Sequence, residues 1–477
     1  MNLPATYCNP LPMPDYQRGA KSFNKKHDNT ISWQHDVRHD FRQAADPTAV
    51  RFKGQWYLFT SSSMFWYSDD MLNWTFHRLA LAELGPSGGC APTAVAKDGY
   101  LYLVAAWVDK IWRTKEPLGE WELLGTLTDP NGQPVRMGDP MLFLDDDGTM
   151  YCYHGLGKDG IYVAKVNSDD MTKLTPFVHC FGFNPDHVWE RYGDFNEDPR
   201  LSYIEGAWMT KHAGRYYLQY SANGTQWKNY AVGCYIGESP TGPWRYQRRN
   251  PILIAPPGSF VNGCGHHSVV EGPDGNLWVF YTVSVRIENK SERRIGMDPV
   301  YFDEAGEMFV AGPTQTPQFA PGARPETVKG NDLGLLPVSV NKIVCASSYA
   351  PGHEPVYAVD DNIRTWWEAE GSSMPQWIEV DLRGDFLVSA ARTMFADRGL
   401  DYDAGITPGP YGYRIEGSVD AKSWFPLVDR STNTVDRHIA YDVWPATSAR
   451  WIRLVALSAP EGMRTSLWEF TVFGTAT

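Results

Sequence analysis

Three acidic residues, Asp46, Asp139 and Glu205, lead three similar segments of the chain, and His266 leads a fourth. Carboxyl groups brought together cannot all stay ionised, because like charges in a partly dry pocket raise at least one pKa. Such a cluster costs stability and is kept where a reaction needs a proton donor and a proton acceptor at the same pH. The matching chemistry is hydrolysis of a glycosidic bond. One carboxylic acid protonates the leaving oxygen while a carboxylate opposite activates water, roughly 6.5 to 9.5 Å away in inverting enzymes.

The elements that must position these groups show as a repeat. "DPTAVRFKGQWYLFTSS" from Asp46, "APTAVAKDGYLYLVAAW" from Ala91, "DPMLFLDDDGTMYCYHG" from Asp139, "EGAWMTKHAGRYYLQYSA" from Glu205 and "HHSVVEGPDGNLWVFYT" from His266 each read as a strand, a turn with Gly, and an aromatic-rich strand. The leading residue lies eight or nine positions before the Gly, and the starts recur every 45 to 66 residues, the period of a four-stranded propeller blade with two longer insertions. A second register agrees: "SDDMLNW", "EPLGEW", "SDDMTKL" and "SPTGPW", ending at Trp74, Trp121, Leu174 and Trp244, fall where a blade makes its outer turn. Five blades are predicted. Their innermost strands line one axis, so Asp46, Asp139, Glu205 and His266 converge on one funnel and Ala91 leaves one side open.

Each residue also has a plainer reading. Asp46-Pro47 and Asp139-Pro140 are common turn starters, and His266 and His267 could be ordinary hydrogen-bonded histidines. The shared place of Asp46 and Asp139 in the repeat favours function; for the two histidines both readings stay open. Glu205 is flanked by Tyr203, Ile204, Ala207 and Trp208, an apolar setting that raises a carboxyl pKa as a general acid requires. "QHDVRHD" (34–40) has metal-like residue types in what reads as a polar loop, and "LDDDG" (144–148) reads as a hairpin turn before a calcium loop. Arg293 and Arg294 either reach substrate hydroxyls or solvate a strand edge; Arg294 is carried as the substrate-binding candidate.

Composition narrows the partners. With 43 Lys plus Arg against 56 Asp plus Glu, the net charge of -13 disfavours nucleic acid and anionic membrane. Nineteen Trp supply faces on which sugar rings commonly stack. The seven Cys show no C-x-x-C spacing, so neither a disulfide framework nor a structural zinc is indicated. No apolar run reaches membrane-spanning length and "MNLPATYCNP" lacks an export signal. The sequence as written reads as cytoplasmic; an exported protein whose signal had been removed would read the same way.

At these residues the sequence resembles glycoside hydrolase family 43, over roughly residues 40–312, through "ADP" at Asp46, "GDP" at Asp139, "IEG" at Glu205 and "GCGHHS" at His266. The resemblance implies a five-bladed propeller acting by inversion on arabinose-, xylose- and related galactose-containing glycans. It implies Asp46 as general base, Asp139 as the residue that tunes and orients the acid, and Glu205 as general acid. His266 would sit near a central cation, often calcium, reached through water; no cofactor is required for the chemistry. Ala207 replaces the Pro that often follows "IEG", and the long lead offers Asp15 as a rival to Asp46, although nothing around Asp15 resembles a blade hairpin.

Residues 313–338 form a Pro- and Gly-rich connector. Beyond it, "QWIEVDL", "YGYRIEGSV", "ARWIRLVAL" and "SLWEFTVFG" read as short strands of an antiparallel β-sandwich. This part resembles the discoidin-like, factor 5/8 type C modules through "AVDDNIRTWWEA", "QWIEVDL", "YRIEGSVDAKSW" and "LWEFTVFG". That likeness implies a structural calcium at Asp360, Thr365 and Glu469, with Asp361 in place of the usual Gly. The expected organisation is an all-β chain: a propeller over 1–312 with a lead at 1–40, a linker at 313–338, and a sandwich over 339–477. The expected activity is inverting removal of arabinofuranosyl, xylosyl or galactosyl-type residues from plant-type glycans. A retaining β-fructosidase-like propeller lacks its "NDPNG"-type motif here. A sugar-binding propeller without catalysis is the alternative from another class.

Overall fold

The computed structural model describes residues 4–16, 41–84, 89–285 and 292–477. Five four-stranded sheets follow one another, each an antiparallel meander in chain order. Their first strands are Thr48–Phe52, Thr93–Lys97, Met141–Leu144, Glu205–His212 and His267–Glu271. These strands touch in cyclic order, the fifth against the first, so the sheets close a ring. In blades 1, 2 and 4 the hairpins turn on Lys53-Gly54, Asp98-Gly99 and Ala213-Gly214, both residues with positive φ. Such turns match the strand twist and put Gly where its missing Cβ removes the steric cost. The outer turns also fall as predicted: Trp74, Trp121 and Leu174 are buried between third and fourth strands.

Blades 1 and 5 share no strand. Apolar clusters fill the wedges instead, one of them joining Trp56, Trp66 and Trp74 of blade 1 to Trp278, Phe280 and Met297 of blade 5. The lead contributes Tyr7, Leu11, Met13 and Tyr16 to that cluster. Thr6–Tyr7 pairs with Gln318–Phe319, so the Pro- and Gly-rich connector is tied to the lead by a two-stranded ladder.

In the C-terminal domain two strands of 20 residues, Gln376–Phe395 and Ile439–Ser458, pair along their length and join Ser466–Ala476 and Gly412–Ser418. Register shifts after Asp381 and Val388 let the long strands bend around a core of Trp367, Ile378, Val380, Ile415, Ile452 and Leu454. This domain also packs on the propeller: Ile363, Met394, Ala396, Ile439 and Trp468 share one apolar cluster with blades 3 to 5. Among the described residues no helix is long and apolar enough to cross a membrane.

Candidate active site

Just ahead of each innermost strand one residue turns into the left-handed region: Asp46 (φ 54°), Ala91 (41°), Asp139 (45°) and His266 (46°). A non-glycine residue there costs about 1–2 kcal/mol, and such strain collects at functional sites. In blade 4 the left-handed residue is Gly206 (φ 58°), not Glu205. Glu205 therefore stands one residue earlier than its supposed equivalents, and a register shift between Glu205 and Trp208 absorbs the offset. A Cβ on Gly206 would meet His266 Cγ and Ser221 Oγ at 3.2 Å, so this position admits no side chain without displacing its neighbours.

Seven positions beyond each hairpin Gly, in the second strand or just past its end, stand Ser61, Ala106, Gly155, Ser221 and Thr282. Three are hydroxyls, and each accepts the backbone N–H of the next blade's left-handed residue. Ala91 N donates to Ser61 Oγ (2.9 Å), His266 N to Ser221 Oγ (2.7 Å) and Asp46 N to Thr282 Oγ1 (3.1 Å). In blades 2 and 3 the hydroxyl is absent, and the next residues, Trp107 and Leu156, are among the exposed large apolar side chains. They flank Gly138, beside Asp139: a Cβ there would lie 3.0 Å from Leu156 Cβ and 3.5 Å from Trp107 Cη2.

The four predicted ionisable residues do converge. His266 Nδ1 lies 3.5 Å from Asp46 Oδ1 and 3.4 Å from Asp139 Oδ2. Asp46 accepts from Arg293 Nη1 at 2.8 Å on Oδ1, and from Arg293 Nη2 at 3.2 Å and Ser61 Oγ at 2.5 Å on Oδ2. Burial pushes its carboxyl up, but Arg293, His266 and Ser61 outweigh burial and hold it below the usual carboxylate range. Glu205 is buried to the same 7 % exposure as Asp46 and, among the described residues, accepts only from Tyr230 Oη, at 2.8 Å. Burial and then the Asp139 charge push it up to about 8. One buried carboxyl is thus held ionised and another protonated across neutral pH, an acid–base pair in the sense that catalysis needs.

Burial alone would lower the His266 pKa, yet Asp46 and Asp139 carry it up to about 9. With Nδ1 committed to Asp46 and Asp139, the predicted cation and its water would have to be reached through His266 Nε2. Among the described residues no group of three or more His, Cys, Asp or Glu is arranged to hold a metal. In the C-terminal domain the fit is better: Glu469 Oε1 is buried without a hydrogen bond, its other oxygen accepts from Asp361 N, and Thr365 Oγ1 lies 2.8 Å from Asp360 Oδ2. Asp360, Thr365 and Glu469 are the residues that would hold a hard cation there.

Arg294 is not in the funnel. It is 1 % exposed, donates from Nε to His438 Nε2 (2.6 Å) and lies over the Tyr16 and Trp468 rings. Adjacent strand residues face opposite ways, so only one of the Arg293–Arg294 pair can enter the funnel, and it is Arg293. Asp15 lies with Asp436 at the domain boundary, its N–H on the Asp436 carbonyl, away from Asp46. The 144–148 stretch is a turn in which Asp145 accepts from Lys211 and Tyr216. The 34–40 motif lies outside the described residues. Ser61, Tyr230 and Thr282 went unrecognised in the sequence, although the hydroxyls at one fixed distance from the turn Gly were a signal for two of them.

A closed five-bladed ring whose funnel gathers three carboxyl groups and a histidine has the architecture of a propeller hydrolase. Residues 42–308 match the glycosyl hydrolases family 43, and residues 342–470 match the F5/8 type C domain. The chain belongs to glycosyl hydrolases family 43. It is 27 % identical over 300 residues to a β-D-galactofuranosidase of Aspergillus niger, covering 56 % of this chain and 81 % of that one. It is 29 % identical over 211 residues to a β-xylosidase of Xylanibacter ruminicola (37 % and 60 %) and 32 % identical over 232 residues to a xylosidase/arabinosidase of Bacteroides ovatus (41 % and 65 %). Among solved structures, a thermostable family-43 glycoside hydrolase superposes with a TM-score of 0.53 at 24 % identity, covering 67 % of this chain and all of that one. That likeness bears on the fold alone.

Proposed function

We propose that the chain removes a single arabinofuranosyl, xylosyl or galactosyl-type residue from a plant-type glycan by one inverting displacement. Asp46, ionised and held by Arg293 and Ser61, takes the proton of the attacking water. Glu205, protonated, delivers its proton to the leaving glycosidic oxygen. Asp139 raises the Glu205 pKa through its charge and is itself steadied by His266. The observation that carries this reading is two equally buried carboxyls in one funnel with opposite surroundings, an arginine fork and a serine hydroxyl on Asp46 against a single tyrosine hydroxyl on Glu205 among the described residues. Trp107 and Leu156 offer the apolar face against which a sugar ring packs beside Asp139. The relatives' names, galactofuranosidase, xylosidase and arabinosidase, support this range of sugars. No step passes through a metal; a calcium held by Asp360, Thr365 and Glu469 would serve the C-terminal domain's stability.

The test is a panel of nitrophenyl arabinofuranosides, xylosides, galactofuranosides and galactopyranosides, with proton NMR of the first anomer released. Inversion is expected on at least one of them. Release of the retained anomer, or turnover that survives Glu205→Gln, overturns the reading.

A further inference from the structure

Asp46 ends a short segment, residues 41–46, that belongs to no blade and lies in no named strand. Its backbone is held by Ala44 N on the Arg293 carbonyl (3.0 Å) and by Ser61 N on the Ala45 carbonyl (3.0 Å). Its charged anchor lies in the other domain. Arg42, 1 % exposed, pairs from Nε with Asp397 Oδ2 at 2.7 Å and from Nη1 with both oxygens of Asp436 at 2.8 Å. Asp397 also accepts from Tyr411 Oη (2.7 Å). The Arg42 carbonyl accepts from Arg294 Nη1 (2.9 Å), the same nitrogen that reaches the Arg293 carbonyl (2.9 Å), while Arg294 Nε is spent on His438 of the C-terminal domain. Arg293, whose backbone this stitching fixes, forks onto Asp46.

We propose that the C-terminal domain sets the position of the general base, and that Arg42 is the positioning residue through which it does so. A buried ion pair is a poor source of net stability but a strong constraint on geometry, because a planar guanidinium fork bonds well in few orientations. Asp397 and Asp436 together hold Arg42 in one place, and four residues later the chain must enter the left-handed turn that aims Asp46. The domain therefore forms one catalytic unit with the propeller, and its face around Asp397, Asp436 and His438 is committed to that task. The inference rests on Asp46 as the base.

Two variants test it. Arg42→Lys keeps the charge and loses the fork; Arg42→Met with Asp397→Asn and Asp436→Asn removes the cluster without stranding a buried charge. Each is compared with wild type for melting temperature, kcat and KM on the best glycoside of the panel, and the ¹⁵N titration midpoint of His266, which contacts Asp46. The expectation is a fall in kcat of about ten- to a hundredfold with KM within about twofold, an acid limb displaced upward, and a His266 midpoint moved down from about 9, with a cooperative melt retained. Wild-type kcat and an unmoved His266 midpoint in either folded variant overturn the proposal. A midpoint that moves in a protein whose wild type cleaves none of the glycosides overturns the proposed substrates and leaves the clamp standing.

Discussion

The Asp46 and Glu205 corners of the funnel are equally buried and end in opposite protonation states. Around Asp46 an arginine fork, a serine hydroxyl and a protonated histidine supply positive charge and hydrogen bonds. Around Glu205 the described residues supply one tyrosine hydroxyl, and the charge that acts on it most is the Asp139 carboxylate, with His266 opposing it. Burial by itself raises both; the partners decide which one recovers its charge. Asp139 and His266 sit between the corners and bind them into one coupled set.

The largest expected effect comes from removing the proton of the second corner. Glu205→Gln should cut kcat by about 10² to 10⁴ on substrates with poor leaving groups, while the affinity for product sugar measured by calorimetry stays near wild type. Next is an attempt to make the two corners alike: Arg293→Met should lower kcat and move the acid limb of kcat/KM upward, since Asp46 would keep only Ser61 and His266. For the unmodified protein the same profile should be a bell. Asp46 works ionised, so activity falls as pH drops through its depressed pKa; Glu205 works protonated, so activity falls as pH rises through about 8. A flat profile between pH 6 and about 9 would break the comparison. Trp107→Ala should raise KM by about two- to tenfold, the loss of one ring contact, with kcat much less affected. The smallest effect belongs to Tyr230→Phe: losing this donor, which favours ionised Glu205, should move the alkaline limb further up.

Stability carries the same asymmetry. Glu205 has a folded-state pKa above its unfolded value, so its contribution is intact below about pH 4.5 and is lost as pH rises towards about 8. Glu205→Gln should therefore melt increasingly above wild type as calorimetry moves from pH 5 to pH 8.

The blade order was legible because period-two alternation and a Gly turn recur in one register, and a ring is the arrangement that makes five such units equivalent. That Asp46, Asp139 and His266 meet followed from that register alone. The offset of Glu205 did not, because a bulge inserts a residue without altering the alternation on either side of it; the Gly after Glu205 was the only local sign. The choice between Arg293 and Arg294 turned on which face of a strand points inward, and two adjacent arginines read alike until pairing partners are known. Tyr230 comes from a loop that no repeat predicts. The connector at 313–338 looked structureless because its ladder is made with residues 6 and 7, some three hundred positions away.

Where blade 5 meets blade 1, the ring is fastened partly by side-chain hydroxyls, Thr282 to Asp46 N and Ser268 to Ala49 N, and one of those fasteners holds the backbone of the base itself. The seam and the proton acceptor are one place. Warming that loosens this junction would misalign water activation before any sheet melts, so the molecule would fall silent while still folded, and amide exchange at residues 46 and 49 would be the early witness.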